Sequence, residues 1–209
     1  MSIPSRGAER TDRIGARYGS GMSPSTERTL EVTARRRYPV PVEVVWAAWT
    51  KPELLTRWWG PEGFTCPLAR MDVRADGVSL LAMQAPEQYG GGQTYNTWSY
   101  SVVEPMARLE YLMRFADPTG TTISPADAGI PSGVPDAVPH VLTFTPSADG
   151  GTELSITESG YTTPQARDMS QRGLDQCLDK LAVVLADSTG TESSLEVGQG
   201  GSERLRGAP

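Results

Sequence analysis

The chain predicts an α+β fold: a curved antiparallel sheet wrapped around one long C-terminal helix, with two short helices after the first strand. Three observations predict it. From Leu30 to Thr157, apolar and polar residues alternate in short segments divided by Gly and Pro turns, as in antiparallel strands with one buried face. From Ala166 to Leu185 the period changes to that of a helix. Ala166, Met169, Gly173, Leu174, Cys177, Leu178, Leu181, Val184 and Leu185 follow i, i+3, i+4 and lay one apolar stripe along a long helix. Between these patterns stands Trp58-Trp59-Gly60-Pro61-Glu62-Gly63-Phe64-Thr65, aromatic mass that must be buried or bind something.

Leu30, Val32 and Ala34 open a first strand that ends near Tyr38, where Pro39 and Pro41 stop it. Val45, Trp46 and Trp49 then share one face of a short helix, and Thr50-Lys51-Pro52-Glu53 reads as a capping box that starts a second. Adjacent residues at a helix end point about 100° apart, so Trp58 is expected nearer the core and Trp59 nearer any cavity. Cys66 to Val73 makes the next strand, turning at Asp76-Gly77 into Val78 to Gln84. Gly90-Gly91-Gly92 turns into a long strand, Gln93 to Val103, with Tyr95 on one face and Trp98 and Tyr100 on the other. Leu109, Tyr111, Met113 and Phe115 form a strongly apolar strand face. Residues Ala116 to Pro139, rich in Pro and Gly and without periodicity, form a long mid-domain loop of the kind that is usually functional or disordered. A last hairpin joins Val141 to Thr145 with Glu153 to Thr157. Thr162-Thr163-Pro164-Gln165 supplies an N-cap threonine and a first-turn proline for the long helix.

The 209 residues suffice for one well-buried domain with tails. Residues 1–28 and 188–209 lack apolar periodicity and are expected to be disordered, leaving 29–187 as the folded domain; Met22 is a second candidate translation start. A net charge of −6 argues against nucleic acid as a partner, and the single basic run, Arg35-Arg36-Arg37, alternates between the faces of a strand as a solvated edge. There is no secretory signal and no run of about eighteen apolar residues that could span a membrane. A cytoplasmic protein, monomer or homodimer, is the expectation. Cys66 and Cys177 fit no zinc or redox spacing and are expected as buried free thiols.

His140 is the only histidine, so multi-histidine metal sites are excluded and any Ser-His-Asp or Cys-His arrangement has one possible base. Alternation puts it on the face of Leu142 and Phe144, where a hydrogen-bonded structural role is expected. No phosphate-binding glycine motif occurs. Asp72, Glu104, Glu110, Glu153 and Glu158 lie on strands or their ends, mostly turned from the apolar face, with no evident acid and base pair. No metal and no cofactor is implied, and no catalytic constellation is recognisable.

The succession Pro41-Val42-Glu43-Val44-Val45-Trp46, Pro52-Glu53-Leu54-Leu55-Thr56-Arg57-Trp58-Trp59-Gly60-Pro61, Asp72-Val73-Arg74-Ala75-Asp76-Gly77, Gly150-Gly151-Thr152-Glu153-Leu154 and Gly173 to Leu181 resembles the SRPBCC (START-related, helix-grip) superfamily. The likeness runs from Thr29 to Asp187. It is closest to the group similar to the C-terminal domain of the activator of heat-shock protein 90 ATPase; Asp117, Gly120, Pro125, Gly129, Pro131 and Pro135 match the long loop of a bacterial branch. The eukaryotic activator contacts its chaperone mainly through a separate N-terminal domain, and no such domain is expected here. The resemblance therefore implies a cavity between sheet and long helix for an apolar or aromatic small molecule, in a carrier, sensor or sequestering protein. A cyclase or hydrolase using the same cavity, with Tyr95, Tyr100, Tyr111 or Arg70 as its polar residue, and a chaperone-interacting module are the alternatives. The candidate ligand contacts are Trp49, Trp59, Phe64, Met83, Tyr95, Trp98, Tyr100, Tyr111, Met113, Phe115, Met169, Cys177 and Leu181.

Overall fold

Proline stops and glycine turns cut the chain into strands, and the computed structural model, which describes residues 29–196, shows where each one ends. β1 (Leu30–Tyr38) sets Val32, Ala34 and Tyr38 inward and stops before Pro39. α1 (Val42–Thr50) buries Val45 and Trp49 together, the predicted face. The predicted capping box does not form. Thr50 is the last residue of α1, and its hydroxyl donates back to the Trp46 carbonyl at 2.8 Å, a local bond that competes with capping. Lys51, in extended conformation, precedes α2 (Pro52–Leu55).

β2 (Thr65–Arg70) ends earlier than expected, and β3 (Val78–Gln84) begins where expected. Residues 71–77 are an irregular connection, not a tight type I′ turn. Such a turn needs two residues of positive φ, and only Asp76 (φ 61°) has one, its N–H donating to the Tyr100 carbonyl at 3.0 Å. β4 (Gln93–Glu104), β5 (Arg108–Ala116), β6 (Val138–Pro146) and β7 (Thr152–Tyr161) continue an antiparallel meander. The sheet order is β1-β7-β6-β5-β4-β3-β2, curved and unclosed, with β1 and β2 at its edges.

Thr163 caps α3 (Pro164–Glu196): its hydroxyl accepts the Ala166 N–H at 3.2 Å, with Pro164 in the first helical position. The helix continues past the expected boundary at 187, since extending an existing helix costs little per residue. Residues 188–196 are therefore helix and not tail; the expected tails at 1–28 and 197–209 lie outside the described residues. The predicted stripe faces the sheet: Ala166, Leu174, Cys177, Leu178, Leu181, Val184 and Leu185 are buried against its concave face.

Polar contacts tie α3 to the sheet and to the aromatic turn. Gln171 of α3 accepts the Thr33 N–H at 3.2 Å and donates to the Thr33 carbonyl at 3.1 Å, so one side chain answers both backbone groups of that β1 residue. Lys180 donates to the carbonyls of Gly60 and Phe64, each at 2.8 Å, and fastens the aromatic turn to the helix; partial burial holds its ammonium below the usual lysine range. The basic run on β1 is matched by carboxylates: Arg36 pairs with Asp175 at 2.6 Å, Arg37 with Asp149, and Arg35 with Glu153 at 3.9 Å.

Four tryptophans fill the core beneath α1. Trp49 meets Trp58 edge-on at 4.8 Å, and Trp59 meets Trp98 at 4.9 Å. Trp58 is fully buried, and its indole N–H donates to the Ala48 carbonyl at 3.0 Å. The ordinary helical donor to that carbonyl would be Pro52, which has no N–H. Cys66 and Cys177 are buried free thiols, and burial pushes them up to about 11 and about 12.

Candidate ligand cavity between the sheet and the long helix

Strand alternation sends Asn96, Trp98 and Tyr100 of β4 and Tyr111, Met113 and Phe115 of β5 to the concave face, where α3 passes over them. The first turns of α3 present Met169, Ser170, Gly173 and Leu174 at this place, and the small Gly173 leaves space. The result is a cavity of about 350 Å³, within the usual size range of ligand sites.

Of the expected contacts, Trp59, Phe64, Met83, Trp98, Met113, Phe115, Met169 and Cys177 line it. Five do not. Trp49 lies in the core with Trp58. Tyr111 is sandwiched between Trp98 (4.5 Å between ring centres) and His140 (4.6 Å), both nearly parallel to it, and so supports the wall from behind. Tyr100 lies further along β4, hydrogen-bonded to Ser79 at 2.9 Å. Leu181 is fully buried one turn of α3 beyond Cys177. Tyr95 differs from Trp98 in strand parity, lies on the opposite face of the sheet, and donates to Gln93. The long loop between β5 and β6 contributes Ile130 and Val134 to the wall. It is pinned to the start of α3, where the Thr162 N–H donates to the Gly133 carbonyl at 2.9 Å.

The polar side of the cavity was not legible as a group. His140, Glu158, Tyr161 and Ser170 line it, with Thr94 and Asn96 on β4. Contrary to the expectation for most of the strand carboxylates, Glu158 points inward and lies beside His140. Its Oε1 lies 3.4 Å from His140 Nε2, and its Oε2 accepts the Tyr161 hydroxyl at 2.6 Å. Glu158 shares the parity of Leu154 and Ile156, a signal present in the sequence. Tyr161, three residues on, belongs by alternation to the other face. A β-bulge opposite β1, with Gly160 at φ 99°, turns it inward. The Nδ1 of His140 lies 2.9 Å from the Val138 carbonyl, an acceptor only, so Nδ1 carries a proton. Burial, reinforced by the Glu158 carboxyl, raises Tyr161 far above the usual phenol value, so it remains a donor.

A second hollow of about 550 Å³ shares Pro61, Phe64, Met169 and Gly173 with the cavity and adds Glu62, Gln88, Tyr89, Arg172 and Gln176. Tyr89 is two-thirds exposed and stacks on Phe64 at 6.1 Å. Among the described residues, no group of three or more His, Cys, Asp or Glu side chains is placed to hold a metal ion, and no helix is long and apolar enough to cross a membrane.

A long C-terminal helix gripped by a curved antiparallel sheet over such a cavity defines the helix-grip class of the SRPBCC superfamily. Solved structures agree. A Chromobacterium violaceum protein is 25% identical, with a TM-score of 0.60 over 74% of this chain and 96% of that one. The AHSA1 protein of Silicibacter pomeroyi is 19% identical, with a TM-score of 0.61 over 76% of this chain and 99% of that one. A protein of Arthrobacter aurescens is 20% identical, with a TM-score of 0.62 over 76% of this chain and 87% of that one. Residues 39–186 match the family described as Activator of Hsp90 ATPase homolog 1-like protein, and the chain belongs to that family. No curated protein matches it in sequence.

Proposed function

We infer that the protein binds one apolar or aromatic small molecule between the sheet and α3, as a carrier, sensor or sequestering protein in the cytoplasm of a bacterium. The observation that carries this is the cavity itself: about 350 Å³, walled by Trp59, Phe64, Met83, Trp98, Met113 and Phe115, with few polar groups. The second hollow supplies an approach from solvent past Phe64 and Met169. A second reading, a cyclase or hydrolase in the same cavity, is favoured by the buried His140, Glu158 and Tyr161. Chaperone contact has least support, since among the described residues the exposed large apolar side chains Val78, Tyr89, Met106 and Val183 sit on separate elements.

The test is differential scanning fluorimetry across aromatic and lipid compounds, followed by calorimetry of the hits. A ligand at about 100 times its Kd adds roughly 2.7 kcal/mol to stability, which a melting curve resolves. Binding that weakens in Trp59→Ala and Met113→Ala is expected. A panel in which nothing binds, or hits indifferent to both substitutions, would overturn the reading.

A further inference from the structure

Within an apolar wall, a carboxyl group is costly unless something completes its hydrogen bonding. Glu158 is 7% exposed, yet it borders the cavity. It receives one good bond, from Tyr161 at 2.6 Å, and faces His140 Nε2 at a long 3.4 Å. A carboxylate offers about four acceptor sites, so capacity remains toward the cavity. The His140 ring cannot turn to use it, because it is held by the Val138 carbonyl and stacked on Tyr111. The Glu158 oxygens therefore present open acceptor positions to an otherwise apolar space. A hydroxyl complements them, since it donates one hydrogen bond and carries little polar surface into the apolar wall.

An anionic head does not fit. Among the described residues no Lys or Arg lines the cavity, and a ligand carboxylate would face the Glu158 carboxyl with no cation to answer it. We propose that the ligand is an aromatic or alicyclic alcohol, its ring among the aromatic side chains and its hydroxyl seated on Glu158 and His140. This rests on the cavity being a ligand site and adds the chemical class of the occupant.

Equilibrium dialysis at neutral pH with naphthalene, 2-naphthol and 2-naphthoate tests it. 2-Naphthol is expected to bind about tenfold more tightly than naphthalene, the gain of one good hydrogen bond, and 2-naphthoate the least tightly. In Glu158→Leu the ratio of naphthol to naphthalene affinity is expected to fall to about one. Should that variant fail to fold, a crystal structure of the wild-type complex decides, with the naphthol oxygen expected within hydrogen-bonding distance of Glu158. Equal affinity for naphthol and naphthalene, tightest binding of naphthoate, or a hydroxyl seated elsewhere would overturn the proposal and leave the cavity reading intact. Binding of none of the three would remove both.

Discussion

Trp58 and Trp59 are neighbours in sequence with opposite bonding, and replacing each by Phe separates the two environments. Trp58→Phe removes the indole donor to the Ala48 carbonyl, which Pro52 cannot replace. A buried polar group left without its partner costs about 1–3 kcal/mol, and shrinking a fully buried ring adds a cavity cost of about 1 kcal/mol. We expect a loss of about 2–4 kcal/mol, a large share of a typical domain stability of roughly 5–15 kcal/mol. The Trp59 indole N–H is buried without a partner, and its ring borders the cavity. Trp59→Phe removes that unsatisfied donor, so a change between neutral and about 1 kcal/mol of stabilisation is expected. Urea unfolding followed by far-UV circular dichroism measures both, since backbone signal is insensitive to the loss of an indole; unchanged m-values show that the midpoints report stability. Equal losses in the two variants, or a neutral Trp58→Phe, would refute the assignment.

Gly160→Ala places a Cβ 3.1 Å from Pro135 Cγ at φ 99°, and a strained position of this kind costs about 1–3 kcal/mol; calorimetric melting checks it, and an unchanged melting temperature counts against the bulge as the device that turns Tyr161 inward. Alkaline stability follows from burial. The phenols of Tyr38, Tyr100, Tyr111 and Tyr161 are raised above 10.0, and the thiols of Cys66 and Cys177 above 9.0, chiefly by desolvation. Folded values above unfolded ones mean that the unfolded chain releases its protons first, so stability is whole below pH 9.0 and declines as pH climbs past 9.0 and then 10.0. Phenolate absorbance from these four tyrosines is expected to rise together with loss of the far-UV signal; ionisation well before unfolding would contradict their burial.

Period and punctuation made most of the fold legible. The α3 stripe and the alternation in β1, β4 and β5 appear where the residues put them, because each buries one apolar face and a one-residue slip would turn it to water. The differences arise where local hydrogen bonds compete with pattern. Thr50 bonded backward to Trp46, and a single positive φ at Asp76 replaced a paired turn. At the cavity, periodicity identified the apolar wall but not its polar side. Glu158 continues the inward parity of β7, yet a carboxylate reads as solvent-facing until its partners are known, and those come from β6 and from beyond a bulge. Tyr161 had no signal short of the bulge itself. Tyr95 shows the limit in the other direction: aromatic character suggested a contact, and strand parity placed the ring outside.

The Gln171 amide on Thr33 has a consequence for how this chain meets other chains. An open sheet has two borders, each a potential template for further strands. At β2 the border carries Pro67, which has no hydrogen to offer; at β1 an amide from α3 occupies the place a neighbouring strand would take. Fibril growth from the β1 border is therefore expected to require that α3 first lift away from Thr33, so that the lag before aggregation would follow the detachment of one helix.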